Sequence, residues 1–275
     1  MTTAITTPGS PASVHAGSPR RATPLWLRSM RYWMYQYKRT WRGSITTSFL
    51  YPVLYLGAIG IGLGSLIKHP VGGQAHFIDF LAPGLLASTA MQIGGNDAMY
   101  PVMAAIKWLR TYFAMLATPL GVIDVLIGHL AWIALRLVMV TTIYLAIMAA
   151  FGTVHSPLAV AALPAGVLTG LAFAAPIAAW AVTLKIETSF AYLFRFGMMP
   201  LMLFSGTFFP LSQLPGWLRL LAYATPLWHG VDLCRMLSLG DVDLPLALIH
   251  VAYLAVLSAL GIWAGARTYR RRLYV

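Results

Sequence analysis

The sequence predicts an all-α integral membrane protein. It has six transmembrane helices, an N-terminal amphipathic interfacial helix and a two-helix outer re-entrant segment between spans five and six. Three observations predict this. Hydrophobic residues make up 59% of the chain and charged residues 9%, where a soluble domain carries about 25% charged. Apolar stretches near the roughly 20 residues that a bilayer requires recur along the chain, with room for about six. The net charge of +12 is gathered mainly at the two ends, from Arg20 to Arg42 and from Arg267 to Arg272. That pattern reports membrane orientation rather than a nucleic-acid groove. No polar stretch is long enough for a separate catalytic domain, and the single Cys234 cannot form an internal disulfide.

Residues 1–23, rich in Thr, Pro, Ser, Gly and Ala, read as a disordered tail without the apolar core of a signal peptide. In residues 24–42, Trp26, Met30, Trp33, Met34, Tyr37 and Trp41 share one helical face, with Arg28, Arg31, Lys38, Arg39 and Arg42 mostly opposite. This is a basic interfacial helix on the cytoplasmic leaflet, serving as a topology anchor or in substrate entry. The spans occupy residues 43–266. Span one, 48–67, has Pro52 in its first turn and a thin face of Gly57, Gly60, Gly62 and Gly64. The loop 68–79 carries His69 and His76 without the supporting Cys or carboxylate pair of a metal site. Span two, 80–100, holds Gln92, Asn96 and Asp97, which must face protein or water. They serve helix packing or a substrate path.

Residues 107–121 form a short cationic amphipathic helix at the membrane surface, ended by Pro119. Span three, 126–151, contains Arg136, which costs about 2.5–3.5 kcal/mol inside a span. It snorkels, pairs with Asp97, Asp124 or Glu187, or meets an anionic substrate. Residues 152–157 make an outer turn. Span four, 158–184, is kinked by Pro164 and Pro176, and 185–189 is an inner loop. Span five, 190–209, is softened by Pro200. Residues 204–235 then hold two short apolar-faced helices, with Leu214, Trp217, Leu218 and Leu221 on one and Leu227, Val231 and Cys234 on the other. Gly206 and Pro210 bracket Phe208 and Phe209 in an aromatic turn that is either a gate or a structural cap. Span six is 244–266, and 267–275 is a basic tail. With both termini cytoplasmic, Lys107, Arg110 and Lys185 also fall inside, whereas the outer segments hold Lys68, Arg219, Arg235 and most of the acids.

The motifs of several chemistries are missing. No GxxxxGK[ST], HExxH or GxSxG occurs. Asn96-Asp97 is a lone pair, too little for a metal site, and Ser205 with His229 lacks an orienting acid other than Asp232. The chain is therefore no enzyme of these classes. With no internal duplication visible, it reads as half of a pathway that a second copy or partner completes.

Three runs carry a family resemblance: 205–235 (SGTFFPLSQLPGWLRLLAYATPLWHGVDLCR), 110–136 (RTYFAMLATPLGVIDVLIGHLAWIALR) and 80–86 (FLAPGLL). In that order they resemble the outer segment, the link between spans two and three, and the start of span two of type-2 ABC transporter permeases. The likeness is to the membrane subunits of the nodulation lipo-oligosaccharide exporter and of daunorubicin-type drug exporters. It implies a permease that moves a lipid-linked glycan, a glycolipid or an amphipathic drug out of the cell. ATP and Mg would sit on two copies of a separate ABC ATPase subunit, with no cofactor or metal on this chain. A second copy, as a homodimer, or a paralogous permease would complete the path in the plasma or inner membrane. Lipids would surround it, and nucleic acid has no part.

The resemblance further implies that Arg110, Thr111, Tyr112, Phe113, Met115, Leu116, Thr118 and Pro119 form the coupling helix docked in the ATPase. Relatives commonly carry an acid where this chain has Phe113, which replaces a charged contact with an apolar plug. The outer gate would comprise Ser205, Gly206, Thr207, Phe208, Phe209, Pro210, Trp217 and Pro226. Tyr51, Tyr55, Phe194 and Phe204 would wall the path between spans one and five of opposite chains, with Asn96, Asp97 and Arg136 as polar candidates. The rival readings are an intramembrane lipid-processing enzyme, which would act without ATP, and a non-transporting scaffold.

Overall fold

The computed structural model describes residues 24–64, 71–74 and 76–273. Among these the chain is helices and connecting turns, with one isolated bridge between Val71 and Gln74. Residues 1–23, 65–70 (with Lys68 and His69), 75 and 274–275 lie outside the description. Among the described residues four helices are long and apolar enough to cross a membrane: Phe77–Trp108, Val122–Ala150, Pro157–Ala181 and Leu244–Leu273. They coincide with expected spans two, three, four and six.

The other two expected spans take a different form. Helix α1, Leu25–Tyr55, continues as a π-helix over Leu56–Leu63, so the basic aromatic stretch and the first apolar stretch are one rod. Pro52 therefore lies well inside a helix rather than in its first turn. The expected break at residues 43–47 is absent because only Gly43 stands there. One glycine costs a helix about 1 kcal/mol, and a change of surface pattern does not interrupt backbone hydrogen bonding. Span five is the shorter apolar helix Thr188–Phe204, not 190–209. It comprises α6 (Thr188–Tyr192), a π-helix (Leu193–Met198) and α7 (Met199–Phe204).

The helix expected over 107–121 is shorter too. Helix α2, Phe77–Met103, extends as a π-helix through Trp108, and α3 spans only Thr111–Leu116 before α4, Val122–Ala150. Each π stretch lies within about a turn of a proline: Pro52, Pro101 and Pro200. A proline lacks the donor of an i→i−4 bond, and a widened turn accommodates the loss. Pro164 falls in the first turn of α5 (Ala162–Ala181), leaving Pro176 as that helix's interior proline. The re-entrant pair is α8, Gly216–Tyr223, and α9, Pro226–Leu239, and the chain closes with α10, Leu244–Leu273.

Helix α5 stands between α2 and α10, and α1 lies along α4. Lipid tails give apolar helices no hydrophobic reason to associate, so close approach through small residues must supply the attraction. Gly94 of α2 faces Gly170 of α5 so closely that an added Cβ would meet the Gly170 backbone. On the other side of α5, a Cβ on Gly261 of α10 would come within 2.5 Å of the Pro176 nitrogen. Loops gather at two ends. Lys107 Nζ donates to the Lys185 carbonyl at 2.9 Å at the foot end, and the His155 amide donates to the Ser238 carbonyl at 3.1 Å at the far end.

Candidate functional site

The foot end is built on Arg110, which has φ +51 and is the one non-glycine residue with positive φ among the described residues. That left-handed geometry costs an L-residue roughly 1–2 kcal/mol and turns the chain sharply from α2 into α3. Tyr112 roots α3 in the bundle. It is fully buried, its hydroxyl is hydrogen-bonded to His129 Nδ1 at 2.9 Å, and its ring lies 5.8 Å from that of Tyr269 near the end of α10. Burial, helped by Tyr269, holds the Tyr112 hydroxyl well above the ordinary tyrosine range, so it stays protonated. Trp33 of α1 stacks on His129 with ring centres 4.2 Å apart. One side chain thus joins α3 to α4 and α10, and through His129 to α1.

The opposite face of α3 is open. Phe113, Thr118 and Pro119 are exposed, whereas Thr111, Met115 and Leu116 are half-buried. Thr118 Oγ1 donates to the Met115 carbonyl at 2.6 Å and closes the last turn. The predicted coupling residues therefore divide into an anchor and an exposed tip, a division that short helical spacing alone does not reveal.

At mid-bundle Arg136 pairs with Asp97, one of its three sequence-predicted partners. Asp97 is buried, its second oxygen has no hydrogen-bond partner among the described residues, and Arg136 also lies 5.7 Å from the Tyr37 ring centre. Both line a cavity of about 330 Å³ among α1, α2 and α4, with Trp33, Tyr37, Tyr100 and Trp132. Asn96 is exposed and does not line this cavity. Tyr55 and Phe194 are half-buried and Phe204 is exposed, on two separate helices. Tyr51 lies on α1, with its side chain outside the description. Within one chain the candidate path residues therefore do not converge.

At the far end the chain leaves α7 through Ser205–Pro210, with Gly206 at φ +78. Ser205 and Thr207 are buried and paired: Ser205 Oγ to Thr225 Oγ1 at 3.0 Å, and Thr207 Oγ1 to Ser88 Oγ of α2 at 2.9 Å. Arg235 of α9 donates to the Gly206 carbonyl at 2.8 Å and to the Phe80 carbonyl at 3.2 Å, with its guanidinium 3.9 Å from the Phe80 ring centre. This arginine, read from sequence as an outer surface cation, ties the turn to α2 and α9. Phe208, Phe209 and Pro210 are half-buried, Trp217 is exposed, and Pro226 opens α9. The Ser205–His229 dyad is not formed. His229 Nδ1 is instead 2.7 Å from His250 Nδ1, and His250 Nε2 is 3.1 Å from Asp232 Oδ2.

The family profile described as ABC-2 type transporter matches residues 25–239, from the start of α1 to the end of α9. The chain belongs to the ABC-2 type transporter membrane family. Among similar proteins, Nodulation protein J of Rhizobium meliloti (strain 1021) is 30% identical over 252 residues, covering 90% of this chain and 92% of the relative. Nodulation protein J of Rhizobium leguminosarum bv. viciae is 30% identical over 254 residues, covering 90% and 93%. That of Sinorhizobium fredii (strain NBRC 101917 / NGR234) is 28% identical over 262 residues, covering 95% and 97%. The protein is accordingly a multi-pass membrane permease subunit of an ABC exporter, a class that works with an ABC ATPase subunit. In this ABC-2 permease α3 and the Ser205–Pro210 turn lie at opposite ends of one bundle.

Proposed function

We propose that two copies of this permease pair in the plasma or inner membrane and that each docks one ATPase subunit on the exposed tip of α3. Both termini are cytoplasmic, and α1 and 188–204 count as crossings one and five. The observation that carries this is the division of α3. Tyr112 is locked into α4 and α10, while Phe113, Thr118 and Pro119 are presented outward. A push on the tip is transmitted to the bundle because the root has no slack. ATP and Mg act on the ATPase, and closure of the two ATPases rocks the permeases as rigid bodies.

Support for pairing comes from 188–204, which exposes Tyr192, Phe196, Met199 and Leu203 on one side of a helix that this chain leaves uncovered. Polar breaks at membrane depth are tolerated only where protein or a water-filled cavity covers them. The Ser205–Pro210 turn meets that condition through Arg235, Thr207 and Ser88, and serves as the outer gate. The cargo is an amphipathic molecule, a lipid-linked glycan, glycolipid or drug, which suits aromatic walls beside the Asp97–Arg136 pair.

The test is ATP hydrolysis by the reconstituted complex. Phe113→Asp and Pro119→Asp are expected to abolish co-purification of the ATPase while the permease still folds and inserts. Product formation from a lipid by the isolated permease without ATP would instead establish the enzyme reading.

A further inference from the structure

Four cations from four separate parts of the chain converge at the foot end: Lys107 after α2, Arg110 before α3, Lys185 in the 182–187 loop, and Arg272 at the end of α10. They surround a cavity of about 660 Å³. Its apolar lining is Met103, Ile106 and Leu184, with Phe113 of the proposed ATPase contact at its edge. Lys107 is held by the Lys185 carbonyl and by Glu187 at 3.4 Å, which pins the 182–187 loop against α2. Glu187 is kept below the ordinary carboxylate range by its own backbone amide and then by Lys107, so this tie is charged. Among the described residues, Arg110, Lys185 and Arg272 have no carboxylate within 4.0 Å.

We infer that this cavity is a binding site for an anionic phospholipid, with the phosphate between Arg110, Lys185 and Arg272 and the glycerol and first acyl carbons over Met103, Ile106 and Leu184. Three positive groups facing one concavity repel one another unless an anion is present, and a phosphodiester supplies that charge. The apolar floor separates a lipid from a free phosphate, for which it offers nothing. The flanks place the cavity at headgroup depth. Leu109 and Ile186, next in sequence to Arg110 and Lys185, are each 59% exposed, apolar surfaces suited to the membrane interface and poorly suited to bulk water. The site is distinct from the α1–α2–α4 cavity, and it needs neither a second copy nor an ATPase.

The experiment is native mass spectrometry of the purified full-length permease, titrated in detergent with phosphatidylglycerol or phosphatidylcholine of matched chains. One phosphatidylglycerol should be retained per chain at a tenfold or greater preference over phosphatidylcholine. Soluble glycerol phosphate at the same concentration should not displace it. The double variant Lys185→Gln/Arg272→Gln should lose the preference, and Lys185→Arg/Arg272→Lys should keep it, which guards against a folding defect. Equal retention of the two lipids by the unaltered chain overturns the proposal, as does a preference that survives the double glutamine variant. Displacement by glycerol phosphate overturns it in favour of a free-anion site. Loss of ATPase co-purification in the glutamine variant, with no lipid preference in the unaltered chain, assigns the cations to the partner protein instead.

Discussion

Replacing Asp97 by Asn isolates the ion pair at the centre of the bundle. The change preserves shape and removes the charge opposite Arg136, whose side chain is 23% exposed. Breaking a buried pair from one side costs about 3–5 kcal/mol, because the remaining charge has lost its water and its opposite charge. Partial access to the cavity lets water reach the guanidinium, and the Tyr37 ring lies beside it, so about 3 kcal/mol is the expected loss. At roughly 2–4 °C per kcal/mol for a chain of this order of size, the thermal midpoint should fall by about 6–12 °C. Arg136→Met alone should cost less, since a lone buried carboxylate can take up a proton. The double variant Asp97→Asn/Arg136→Met should recover most of the loss, because no charge is left stranded. The assay is thermal unfolding of the purified permease in detergent, with all four proteins in one double-mutant cycle. A midpoint for Asp97→Asn within 1–2 °C of the unaltered protein (about 0.5 kcal/mol), or a double variant no better than the single, would refute the reasoning.

Other perturbations test the packing and the far end. Gly94→Ala places a Cβ against the Gly170 backbone, which cannot swing aside, and should destabilise by about 1–3 kcal/mol in the same melting assay. Gly43→Ala, where a Cβ meets nothing within 4 Å, should be neutral or stabilise by up to about 1 kcal/mol. His229 is held at about 4 by burial and then by His250 beside it, against an ordinary 6.5. Between those values the unfolded chain binds the extra proton, so stability rises with pH across the window and falls as pH drops from 6.5 towards 4. Melting of His229→Gln should lose that part of the acid sensitivity, whereas an unchanged pH profile would exclude His229 as its source.

Much of this architecture could be read from residue order, and the failures have physical causes. Spans two, three, four and six announced themselves because apolar length is a local property. The join of α1 to the first apolar stretch did not, since the pattern of exposed side chains changed there while the backbone ladder ran on. Ending span five at Phe204 depends on Gly206 taking a positive φ, which the sequence permitted without requiring. Arg136 and Asp97 were both singled out, yet spacing along the chain could not choose among three carboxylates on three elements. Nothing in the residue order joins His229 to His250 on another helix. Tyr112 was placed in the foot, but its burial against His129 and Tyr269 depends on where α4 and α10 come to lie. The convergence of Lys107, Arg110, Lys185 and Arg272 was invisible for the same reason.

The account rests on α3 being the point where an ATPase meets this permease. The most direct measurement is site-specific cross-linking in membranes, with Thr118→Cys in a Cys234→Ser background and the ATPase co-expressed. Thr118 is exposed in the turn that follows α3 and Cys234 is buried, so the introduced thiol is the accessible one. The account predicts a permease–ATPase adduct whose yield changes with ATP, and protection of this thiol from impermeant reagents added outside the cell. Labelling of Thr118→Cys from the outside, or no adduct with a co-expressed ATPase that hydrolyses ATP in the complex, would contradict it.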